Sequence, residues 1–208
     1  MIRTRSMGAA ALALGLLAGG ANAGFLAFSG DTAASTETTG SNFSGTLNYN
    51  FNGGTSGTLV ISLTNTTPVS VGGYLTAFVF NVNSADAGAS IALSSATDTD
   101  FLDAAGSSAV PFGGSYRAGA GLSGTWLGGG APQPGIAIGN TETFTFNVTA
   151  TDAASLTEGS FLEGPYAFDF VVRFRGLNNG GSDKVPTPTP GPVALAGIAG
   201  LVATRRRR

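Results

Sequence analysis

The chain has 208 residues, no cysteine and no histidine, and only 11% of it is charged, well under the roughly 25% of ordinary soluble domains. The two absences exclude a disulfide framework, thiolate chemistry, and the commonest general base and metal ligand. Between residues 24 and 184 twelve acids face four positive residues, a net charge of −8, which excludes the clustered lysines and arginines that nucleic-acid binding needs.

Residues 1–23, MIRTRSMGAAALALGLLAGGANA, have the three parts of a secretory signal peptide. Arg3 and Arg5 form the positive end. Residues 9–18 form an apolar stretch, too short to cross a hydrocarbon core of about 30 Å. Ala21 and Ala23 give the small-x-small cleavage pattern and place the mature start at Gly24. Export by Sec-type machinery, with a signal peptidase as the first partner, follows from these three features.

Beyond Gly24 the leading signal is alternation with period two, the mark of a half-buried strand. Short candidates are FSGTLNYNF (43–51), SIAL (90–93) and GIAI (135–138). In GTLVISLTN, Leu59, Ile61 and Leu63 share one face, and in ETFTFNVTA, Phe144, Phe146 and Val148 do. YLTAFVFNV (74–82) is apolar on both faces, as a strand central to the core would be. PYAFDFVVRFRG puts Tyr166, Phe168, Phe170, Val172 and Phe174 on one face, and Asp169, Arg173 and Arg175 on the other as a solvated ion-pair row. Glycine-rich breaks separate these runs at 52–54, 72–73, 113–114 and 128–135. Residues 96–135 carry no clear period and admit loops, a short helix or edge strands. The pattern predicts one all-β domain over 24–184, an antiparallel β-sandwich or jelly roll. That length suffices for one real core.

The end of the chain has three parts as well. In residues 185–192 Pro186, Pro188, Pro190 and Pro192 alternate with other residues, which predicts an extended, unpacked spacer. Residues 193–203 are all Val, Ala, Leu, Ile or Gly, and as a short hydrophobic helix they would reach only about 16 Å. Arg205, Arg206, Arg207 and Arg208 follow as a stop-transfer charge that stays on the cytoplasmic side. This tail can hold a translocating chain briefly in the inner membrane.

PTPGPVAL (188–195), the apolar run and the final arginines together resemble the PEP-CTERM sorting signal of exosortase-bearing bacteria. Pro188, Thr189 and Pro190 occupy the recognition motif, with Thr189 where the family usually has Glu, and Pro186-Thr187-Pro188 is a second register with the same substitution. The resemblance implies cutting of the tail by an exosortase-like enzyme. The protein would then reach the cell envelope or the extracellular space. Residues 24–184 are also similar to Gly/Thr-rich secreted domains that precede such tails. TLVISLTNTTP with GGYLTAFVFNV, GIAIGNTETFTFNV and FVVRFRGLNNGGSDKVP carry that likeness, which adds a folded β domain and no chemistry.

Candidates for chemistry are few. Nucleophilic triads lack their histidine, and a Ser–Lys dyad has only Lys184 beside the spacer. A glycosidase needs two carboxylates about 5 Å or about 6.5–9.5 Å apart. The glutamates Glu142, Glu158 and Glu163 are available for that role. Asp98, Asp100 and Asp103 form the one acidic cluster, a weak calcium candidate without the Gly and bidentate Glu of an EF-hand. Its plainer reading is an acidic turn with Asx bonds. Residues 128–130 are glycines without the GK[ST] of a phosphate loop. Trp126 and Tyr116 can stack on a sugar or pack in the core. Asn42, Asn65 and Asn147 match the N-glycosylation pattern.

The expected protein is therefore not an enzyme and has no cofactor. It is an exported structural or interaction protein of the envelope or matrix with a C-terminal sorting tail. The alternatives are a carbohydrate-binding β-sandwich that retains matrix polysaccharide and, third, a glycan hydrolase.

Overall fold

The computed structural model describes residues 24–127 and 130–188. Ten strands follow in chain order: β1 (Leu26–Ser29), β2 (Phe43–Gly53), β3 (Ser56–Asn65), β4 (Gly72–Phe80), β5 (Ser90–Ala96), β6 (Phe101–Asp103), β7 (Ala118–Leu122), β8 (Thr141–Thr149), β9 (Phe170–Leu177) and β10 (Ser182–Pro186). Short 3₁₀ turns lie at Thr32–Ala34, Ala153–Ser155 and Glu158–Phe161.

The strands make two five-stranded antiparallel sheets, ordered β1-β2-β3-β8-β5 and β10-β9-β4-β7-β6. They pack as a β-sandwich, as alternation predicts. Leu47, Leu59, Ile61, Leu63, Phe144, Phe146 and Val148 line the inner face of the first sheet, and all are buried. Phe78, Phe80, Ala118, Ala120, Phe170, Val172 and Phe174 answer them from the second. Phenylalanine supplies the cross-sheet contacts: Phe78 meets Phe144 edge-on at 4.7 Å, and Phe28 meets Phe170 edge-on at 4.8 Å.

β4 is the middle strand of the second sheet, which explains its two apolar faces. Phe78 and Phe80 point into the main core, while Ala77 and Val79 point outward into a second cluster with Ala109, Tyr116, Trp126 and Val171. Segments between the strands fold over that outer face. β7 approaches closely because it is small: a Cβ on Gly119 would lie 2.4 Å from the Phe78 carbonyl oxygen.

Four local expectations change. Residues 135–138 form no strand, only a bridge between Ile136 and Leu75. β9 begins at Phe170, so Tyr166 and Phe168 leave the Phe170 face and pack against the second cluster. Asp169 does not pair with Arg173 and Arg175; it is 3% exposed and accepts from Asn81 Nδ2 at 2.9 Å and from the Tyr166 amide at 3.2 Å. Lastly, residues 185–187, expected in an unpacked spacer, are buried. Val185 and Pro186 complete β10 against Val172 and Val171, and the Thr187 amide donates to the Phe170 carbonyl at 2.9 Å. Proline is tolerated there because β10 is an edge strand.

Candidate functional site

Two surfaces stand apart from the packed interior. The first is the outer face of the first sheet. Antiparallel register sets its side chains in rows: Ser29, Ser44, Thr64 and Thr141; Ala27, Thr46, Ser62 and Thr143; Asn48, Val60, Thr145 and Ser95; Asn50, Thr58, Asn147 and Ala92. None of these side chains is ionisable. Neighbouring hydroxyls already pair across strands, Ser62 with Thr143 at 2.9 Å and Thr64 with Thr141 at 2.6 Å. Each such pair uses one donor and leaves another O–H, plus spare lone pairs, for a partner. Threonine's stiff χ1 holds those groups in place. A shallow hollow of about 390 Å³ sits at one side of this face, between Phe28, Gly45 and Thr64.

The second surface is an open, mostly apolar groove of about 740 Å³. Residues 24–29 form one wall, with Phe25, Leu26 and Phe28 supplying apolar surface. Glu158, Leu162 and Glu163 of the turn after β8 form another, and Thr187 and Pro188 close it. Thr157 and Ser160 fix that turn with a reciprocal capping box. Phe25 is 79% exposed at the mouth of the groove. Gly24, the expected mature start, and Pro188, the first residue of the PTP motif, both line this groove.

The sequence candidates fall out as follows. Gly24 and Pro188 reach the same groove. Ala21, Ala23, Thr189, Pro190, Arg205, Arg206, Arg207 and Arg208, with the apolar run at 193–203, lie outside the described residues. Trp126 and Tyr116 are 3% and 0% exposed, so neither can stack on a sugar. Burial, aided by Asp169 and Tyr166, pushes the Tyr116 phenol well above its usual range, and its hydroxyl donates to the Phe168 carbonyl at 2.8 Å. In the acidic cluster Asp98 accepts the Asp100 amide at 2.9 Å, and Asp103 accepts the Leu93 and Ala105 amides at 2.8 and 2.7 Å. The Asp100 and Ala105 bonds are the Asx bonds of an acidic turn, and the Leu93 bond ties Asp103 to β5. Among the described residues no group of three or more acids is placed to hold a metal ion.

Of the three glutamates, Glu158 and Glu163 line the same groove and Glu142 lies apart from it. Glu142 sits opposite Leu63, with Oε2 buried and unpartnered; burial, and then Asp98, raise its carboxyl. Glu158 accepts the Tyr49 amide at 3.2 Å, and Glu163 accepts Asn83 Nδ2 at 3.3 Å. Arg173 donates through Nη1 to the carbonyls of Trp126 and Leu127, and Arg175 to that of Gly130 at 2.9 Å. Burial, and then Arg175, lower the Arg173 guanidinium from its usual value. The two arginines thus bind a loop over the second sheet. Asn65, one of the glycosylation matches, is fully buried and donates to Gly73 and Ile136 carbonyls.

Sequence reasoning missed Asp183. It is 1% exposed and accepts from the Thr36 hydroxyl and Glu37 amide at 3.0 Å, the Thr39 amide at 3.2 Å and the Thr39 hydroxyl at 2.5 Å. Burial opposes its ionisation, but the donors from Thr39, Glu37 and Lys184 outweigh that and hold the carboxyl below the usual range. The result clamps residues 36–39 along the outer edge of β10. The available signal was period two: Asp183 shares a face with Val185, which is buried. No family model matches the chain, and neither does any curated protein or solved structure.

Proposed function

We propose that the chain is an exported, non-enzymatic structural or interaction protein of the cell envelope or extracellular matrix, its C-terminal tail a sorting signal. The observation that carries this reading is that Gly24 and Pro188 both line one groove. Leader and tail then attach at a single place on a self-contained sandwich, as suits a module that is carried, released and displayed. The carboxylates support the same reading: Asp169, Asp183, Glu158 and Glu163 each accept hydrogen bonds that hold the fold together. In this reading an exosortase-like enzyme acts at Pro188, Thr189 and Pro190, and the inner membrane is a transient partner.

The mass of the mature chain from its native host, separated into membrane and extracellular pools, tests the proposal. A chain that begins at Gly24, ends near the proline motif and lies outside the cell is expected. A chain that keeps Arg208 and stays in the membrane would replace sorting with permanent anchoring. Among the described residues no helix is long and apolar enough to cross a membrane.

The neutral hydroxyl face favours the second reading, a carbohydrate-binding module, in altered form. Contact with polysaccharide would run through Thr, Ser and Asn, because Trp126 and Tyr116 are buried. A glycan array with and without calcium tests it; binding to no polysaccharide would sink it.

A further inference from the structure

We infer that the groove lined by Gly24 and Pro188 seats the apolar run at 193–203 in the chain whose tail is still attached. Connectivity is the first argument. Thr187 is held by its bond to Phe170, and Pro188 is part of the groove wall. Only residues 189–192 separate it from the run, and four residues reach at most about 14 Å. Val193 therefore starts close to a groove whose walls offer Phe25, Leu26, Phe28 and Leu162. Attachment at that distance makes the encounter intramolecular, at the high effective concentration of a short linker.

Matching chemistry is the second argument. The run contains Val193, Leu195, Ile198, Leu201 and Val202 and no polar side chain, so water drives it onto apolar surface. Four arginines follow almost at once, and Glu158 and Glu163 line the groove. The leader, whose apolar stretch at 9–18 precedes Gly24 by five residues in the sequence, is the rival occupant. The inference rests on the export reading at this one point, that the leader is removed. Seating the run would cover the exposed Phe25 and keep the tail from aggregating until a membrane takes it up.

Photo-cross-linking of residues 24–208, the chain with its leader removed and its tail attached, tests this directly. Phe25, exposed and outside the packed core, is replaced by benzoylphenylalanine, and the products of irradiation in lipid-free buffer are mapped by mass spectrometry. Cross-links within one chain to residues 193–203 are expected. They should fall about tenfold in Leu195→Asp/Ile198→Asp, which changes nothing in the folded domain, and about two- to threefold in Glu163→Lys. Cross-links confined to the folded domain or to a second chain, or none at all, would overturn the inference, as would cross-links to 193–203 that survive the double substitution. The assay contains no membrane and no processing enzyme. A negative result therefore counts against the groove alone, whereas the mature mass decides sorting.

Discussion

The two sheets share one core, yet their outer faces are opposites. The first shows rows of Ser, Thr and Asn that are half-buried or exposed. The second shows Ala77, Val79 and Val171, roofed by Tyr116, Trp126 and Ala109. The difference was set strand by strand. Where apolar and polar residues alternate, one face is left to water; where both faces are apolar, the chain must supply a second layer. Arg173 belongs to this contrast, since its charge sits on the covered sheet and ties down the covering loop. A neutral surface thus remains on one side of an acidic domain.

The largest test of the comparison is its control. Phe78→Ala empties the core both sheets share, and about 3–5 kcal/mol of stability should go, read by urea unfolding. The clamp comes next. Asp183→Ala leaves the donors of residues 36–39 without their acceptor, and a loss of about 1–3 kcal/mol is expected. Its pH signature follows from the depressed carboxyl: the stabilisation is complete above the ordinary carboxylate value of about 3.9 and fades as pH falls through the lower folded value. Asp183→Asn should therefore flatten the acid limb of a plot of urea midpoint against pH. Asp169 acts in the other sense, because burial raises its carboxyl despite the Asn81 bond. Its ionised form costs stability at neutral pH, and that cost lifts as pH falls through the raised value.

Outer-face substitutions sharpen the contrast most finely. Val171→Thr puts a hydroxyl under the roof of the second sheet, where it has no water, and about 1–3 kcal/mol should be lost. Thr143→Val makes the reverse change on the bare sheet, and its effect should stay within about 0.5 kcal/mol. Equal effects in the two variants, measured by thermal and urea unfolding, would mean that the faces are not different environments.

Legibility followed the same physics. β2, β3 and β8 were readable because each alternates and each buries one face. β4 was readable as central because it buries two. β7 was not, because Ala118–Leu122 is small on both faces and its strand character comes from lying against β4. The ion-pair row failed because Asp169 precedes β9: it turns inward to Asn81, while Arg173 reaches the carbonyls at 126 and 127. The groove was invisible for another reason. Its walls come from residues 24–29, 157–163 and 187–188, and no local pattern relates them.

What the sequence determined by itself is therefore the class of fold, the strands that alternate, the neutral character of the exposed rows, and the absence of thiol and imidazole chemistry. These depend on period and composition, which are local. Tertiary structure alone decided the roof over the second sheet, the clamp at Asp183, the burial of Trp126 and Tyr116, and the groove that Gly24 and Pro188 both line. Each of those brings together residues far apart in the chain, and the closing of one core, not any local preference, sets which of them meet.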